Sequence, residues 1–128
     1  MNLENLVSAM MNINIKARLW HWMTDTAQHH TTFEQFLTQN EASTDSFVES
    51  ALGNDLEINL AKISVTEGKC PSYSINSSRQ EIKNYRLNIS EIKTVLEKSD
   101  KFGTDELITI LDDVIELSSK TLYLLSLK

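Results

Sequence analysis

Residues 19–33 read LWHWMTDTAQHHTTF, and these fifteen positions hold both tryptophans and all three histidines of a 128-residue chain. Two readings fit such a gathering. It is a knot of packing where two helices meet, or it is half of a metal site. The cap-type residues Thr24, Asp25 and Thr26 divide the stretch. Side-chain oxygens of this kind accept from the exposed amides of a new helix, so one helix ends near Trp22 and another starts near Ala27.

Outward from this junction, both flanks carry helical periodicity. Upstream, Leu3, Leu6, Val7, Met10, Ile13 and Ala17 recur at steps of three and four, which places an amphipathic helix over about residues 3–22. Met11 and Ile15 widen its apolar face. Downstream, Phe33, Phe36, Leu37, Phe47, Val48, Ala51 and Leu52 mark a helix over about residues 27–52, with Gly53-Asn54 as its stop. Its middle, Thr38 to Thr44, is polar and is expected to face water or a partner.

Residues 54–78 fit a short helix or a short strand equally, and then become loop-like at EGKCPSYSINSS. Ile82, Tyr85, Ile89, Ile92 and Leu96 form a packing stripe that predicts a third helix over about 78–98. Thr104 is expected to cap a fourth, over about 104–127, with Asp105 and Glu106 in a first turn where the helix dipole favours negative charge. Only three Gly and one Pro occur, all between Gly53 and Gly103, and helices tolerate few of either. The expectation is all-α: a single four-helix-bundle domain over residues 1–128, with a longer connection between helices two and three.

Composition excludes several function classes. The net charge is −6 and no basic run exists, so a phosphate-tracking surface is not expected and neither is nucleic-acid binding. No apolar run approaches the roughly 18 residues of a membrane span. The N-terminus lacks a signal-peptide pattern. The lone Cys70 has no internal disulfide partner and nothing near it activates a thiol. A cytoplasmic protein is expected.

The chemistry-bearing candidates are His21, His30, Asp45 and Glu49. Imidazole nitrogens and carboxylate oxygens bind metals at about 2.0–2.2 Å. Asp45 and Glu49 share a helix face at i,i+4 spacing, and Glu41 lies one turn above. His30 and Asp45 are fifteen residues apart on one helix, about 22 Å at 1.5 Å per residue. They cannot share an ion within one subunit. They can share one across a two-fold axis if helix two packs antiparallel against its copy, with Thr38 to Thr44 near the axis and the site occurring twice per dimer. Trp20 and Trp22 are expected to be packing residues. His29 points about 100° from His30 and is expected to be exposed.

The HW that ends helix one, the His early in helix two, and Asp and Glu fifteen and nineteen residues beyond it resemble the ferroxidase pattern of Dps, the ferritin-like mini-cage proteins. The closest likeness is to small ferritin-like proteins of T4-like phages, which are similar in an HW-x-T…H junction and a later D-x-x-x-E. The resemblance covers about residues 15–53. It implies a ferritin-like (Dps-like) topology, a homodimer through helix two that can assemble further, and an inter-subunit iron site, with zinc or manganese as substitutes. His21, His30, Asp45 and Glu49 would be its ligands, and ferroxidase-type activity would follow. The chain departs from Dps in its shorter junction and in lacking a basic N-terminal arm. It also lacks the Glu-x-x-His pair that ferritins carry on the second helix pair. The alternative from another class is a phage-encoded protein of the host cytoplasm that binds and inhibits a host protein on this scaffold without metal chemistry.

Overall fold

The computed structural model describes residues 2–65 and 72–127. It contains four long helices, α1 (Leu3–Met23), α2 (Ala27–Gly53), α3 (Ile75–Glu97) and α4 (Thr104–Ser126), and a single 3₁₀ turn at Leu60–Lys62. Among the described residues there is no strand, which resolves the ambiguity over 54–65 in favour of extended chain with one tight turn. Cys70 lies outside the described residues.

Capping sets the boundaries. Asn2, Thr26 and Ser74 each accept a backbone N–H from three residues on, at Asn5, His29 and Ser77. Ser74 therefore starts α3 three residues earlier than the apolar stripe suggests; four serines in a run of seven leave the choice of cap open in sequence. Thr104 is not the cap of α4. Gly103 holds that position at φ 88°, and Thr104 is the first helical residue, its hydroxyl donating to the Lys101 carbonyl at 3.1 Å.

α1 packs on α2 and α3, and α4 packs on the same two, so the helices form a ring in the order α1, α2, α4, α3. Hydrogen bonds fix their directions. His21 lies beside His30, Lys16 beside Glu81 and Gln28 beside Leu124 at one end of the bundle. Ser50 and Asn54 meet Glu106 at the other. α2 and α3 thus run parallel, and the described residues 54–65 lead the chain back from the end of α2 along the bundle. They do so against α1: Asn59 N–H donates to Glu4, Ser64 N–H to the Ser8 hydroxyl, and the Asn12 amide to the Ser64 carbonyl.

One core fills the ring. Phe33, Phe36 and Phe47 from α2 are fully buried with Leu6, Met10, Ile82, Ile89, Leu107, Leu111 and Val114. Each large side chain contributes about 1.5–3 kcal/mol by burial. The polar middle of α2 does not simply face water. Asn40 is completely buried and Thr44 is buried one turn on. The Asn40 amide donates to the Met10 carbonyl at 3.3 Å and to Asn14 Oδ1 at 2.9 Å, and accepts from the Tyr85 hydroxyl at 2.6 Å. Burial pushes the Tyr85 hydroxyl well above its ordinary pKa.

At the lower end, the Glu106 carboxylate accepts from Ser50 Oγ at 2.7 Å and Asn54 Nδ2 at 3.0 Å. These bonds, Ser50's first, hold its pKa below the ordinary value of 4.5. Because the folded value lies below the unfolded one, the stabilisation is full above the ordinary value and fades as pH falls through the lowered one. Thermal melts should show the wild type ahead of Glu106→Gln near neutral pH, with the gap closing in acid as pH falls below the ordinary 4.5 and through the lowered value. A gap unchanged in acid would dismiss the carboxylate's role.

Candidate metal-ligand junction

The last turn of α1 meets the first turn of α2 through two histidines. The His21 and His30 rings stack with centroids 3.7 Å apart and 24° between planes. Each Nδ1 bonds the other residue's backbone carbonyl, His21 to His30 O at 2.8 Å and His30 to His21 O at 2.7 Å. A carbonyl only accepts, so both Nδ1 atoms carry the hydrogen. In the neutral imidazole this leaves the Nε2 lone pair free on each ring. A histidine that holds a metal usually has its other ring nitrogen fixed in this way. The clasp also satisfies the His21 carbonyl, which the end of α1 leaves without a helical partner.

The neighbouring residues divide. Trp20 is buried, 3% exposed, and its ring tilts against Phe33 at 5.6 Å. Trp22 is not a packing residue: it is 66% exposed. Trp20 and Trp22 are two apart on one helix, about 200° around its axis, so only one can face the core. His29 is half-buried rather than exposed, and its amide donates to the Thr26 hydroxyl that caps α2.

α2 is continuous from Ala27 to Gly53, so the ~22 Å between the levels of His30 and Asp45 stands. Asp45, Glu49 and Glu41 are exposed. Among the described residues no group of three or more His, Cys, Asp or Glu converges as a metal site within one chain. The histidines are brought together; the carboxylates are not brought to them.

Between α1 and α2, on the outer face, runs an open groove of about 880 Å³. Its walls include Met11, Ile15, Leu37 and Val48, with Arg18, Glu41 and Asp45 also lining it and Ile63 of the long connection at one edge. Met11 and Ile15 are 37% and 44% exposed. Sequence reading found the widened apolar face of α1 but not the groove. It also missed the Asn14–Asn40–Tyr85 network, although Asn40 falls at core spacing between Phe36 and Thr44. Comparison with known proteins gives no matching family model, no matching curated protein and no matching solved structure.

Proposed function

We propose that this chain is a Dps-like helical-bundle protein that binds Fe²⁺ between two copies. His21 and His30 of one copy and Asp45 and Glu49 of the other supply the ligands. The reading rests most heavily on the histidine clasp, which orients two imidazoles and leaves both Nε2 atoms as donors. The antiparallel α1–α2 pair and the single long return between α2 and α3 agree with a ferritin-like topology. The proposed substrate is Fe²⁺, oxidised to Fe³⁺ with its electron passed to peroxide or dioxygen. Two carboxylates and two neutral imidazoles suit iron, with zinc or manganese as substitutes.

Anaerobic calorimetric titration with Fe²⁺ near neutral pH tests the reading. Two equivalent ions should bind per dimer, more weakly in acid because the ligands must be deprotonated. His30→Ala and Asp45→Ala should each weaken binding by at least the 10–100-fold that loss of an outer-shell partner costs. A wild type that binds none of Fe²⁺, Zn²⁺ and Mn²⁺ tighter than about millimolar, some 4 kcal/mol of binding, would end the iron reading.

A second reading is favoured by the same clasp. Its two carbonyl bonds already close the helix junction without an ion, and Trp22 stands exposed beside it. On this reading the protein acts by binding a host protein, and His30→Ala with Asp45→Ala leaves its biological effect intact.

A further inference from the structure

α3 and α4 keep a heptad register along their shared seam. Arg86 Nη1 donates to Ser119 Oγ at 3.1 Å, and seven residues on, Lys93 pairs with Asp112 at 2.6 Å. Seven residues is about two helical turns, so Arg79 comes level with Ser126 in the same row. α4 thus meets the row with an aspartate at Lys93 and with serines at Arg86 and Arg79. The ion pairs among the described residues are Lys16–Glu81 and Lys93–Asp112, so neither arginine is neutralised within the described chain. Nε of Arg79 is also buried with no hydrogen-bond partner among the described residues, a costly state for part of a cation.

Charge around the row is one-sided. From Ile75 to Ser90 on α3 and from Leu117 to Leu127 on α4, the cations are Arg79, Lys83, Arg86 and Lys120. Glu81, the acid within those stretches, is held by Lys16 of α1. Arg79, Lys83 and Arg86 follow at steps of four and three, a single row about 10 Å long. Leu87, one turn beyond Lys83, and Tyr123, one turn beyond Ser119, flank it and are 59% and 63% exposed. In a chain of net charge −6 this is a local basic patch with an apolar edge.

The extent of the row selects its partner. Beyond Arg86 the α4 side turns acidic at Glu116, Asp113 and Asp112. A phosphate backbone or an anionic membrane would run on past the row and meet those carboxylates. A helix with acids at i, i+4 and i+7 presents them over the same 10 Å and then ends its charge. We infer that this face binds a carboxylate-rich helical segment of another protein, whose acids pair with Arg79, Lys83 and Arg86 while an apolar side chain rests on Leu87 and Tyr123. The inference rests on the second reading above for the existence of a partner protein. It is independent of the iron reading, because α3 and α4 lie across the ring from the α1–α2 face.

Fluorescence anisotropy with the full chain tests it. The probe is a labelled synthetic helical peptide with Glu at i, i+4 and i+7 beside a Leu, and its counterpart with Gln at those three positions. The Glu peptide should bind, less tightly as salt rises, and the Gln peptide at least about tenfold more weakly. Arg79→Glu with Arg86→Glu should weaken the Glu peptide by about tenfold or more. Lys98→Glu with Lys101→Glu, both exposed and off the row, changes net charge equally and should leave binding unchanged. Arg79→Gln with Arg86→Gln should act in the same direction as the reversal, and it carries the test if circular dichroism shows that the reversal disturbs the helices. A Glu peptide that does not bind, a Gln peptide that binds as well, or equal losses in the two reversed pairs would each overturn the inference. So would tighter binding to a single-stranded oligonucleotide or to phosphatidylserine vesicles, which would assign the face to phosphate. Any of these leaves the second reading to its own test with His30→Ala and Asp45→Ala, and the iron reading to calorimetry.

Discussion

Asn40→Ala should lower the unfolding free energy by about 3 kcal/mol in urea denaturation. The loss combines a cavity with unpaired groups. Asn40 is 0% exposed, and its amide ties α1, α2 and α3 through the Met10 carbonyl, Asn14 and the Tyr85 hydroxyl. Tyr85 is itself only 4% exposed, so its hydroxyl has no water to turn to. Asn40→Leu fills the space and still leaves that hydroxyl unpaired, so it too should be destabilising. Adding Tyr85→Phe should then recover stability, because removing both partners of a buried hydrogen bond costs less than removing one. Non-additivity of about 1–2 kcal/mol between Asn40→Ala and Tyr85→Phe is expected. Asn40→Ala costing under about 1 kcal/mol would mean that the network contributes little.

Gly103→Ala should destabilise the protein by about 2–3 kcal/mol, while Gly53→Ala should be neutral or stabilising by up to about 1 kcal/mol. Gly103 has φ 88°, and a Cβ there would lie 2.5 Å from Cβ of Asn54. The left-handed conformation alone costs an L-residue about 1–2 kcal/mol. The overlap must also displace Asn54, whose amide donates to the Ser50 carbonyl and to Glu106. Gly53 is the last helical residue and has nothing within 4 Å of its added Cβ, so alanine there only removes freedom from the unfolded chain. The contrast is read from paired thermal or urea melts. Equal effects at the two glycines would refute the argument.

The helices were legible because apolar residues recur at three and four positions over long stretches, and because Thr26 stands between two such stripes. Boundaries were less so. Around α3 several serines compete to cap, and at α4 the deciding feature is a left-handed glycine whose need arises only when Asn54 packs against it. Asn40 was misplaced because a polar run suggests solvent; its burial depends on Tyr85, forty-five residues away. The pairing of His21 with His30 could be anticipated from the short junction. The separation of the carboxylates from them followed from helical rise, and α2 is unbroken as that required. Asp45 and Glu49 stay exposed, and the spacing that puts them on one face of α2 brings no imidazole to them within the chain.

The run of residues 54–65 along α1 bears on how the chain folds. α1–α2 and α3–α4 are hairpins with short links, so their contacts close small loops and form early. The crossover adds one larger loop, whose closing entropy grows only logarithmically with length. Its hydrogen bonds to Glu4, Ser8 and Asn12 require a finished α1 to lie against. Two preformed hairpins should therefore dock late, with the Phe33–Phe36–Phe47 side of one closing on Ile82, Ile89 and Leu111 of the other. The crossover is then a tether that sets the order of assembly: fastened last, it should also be the first stretch to exchange its amides.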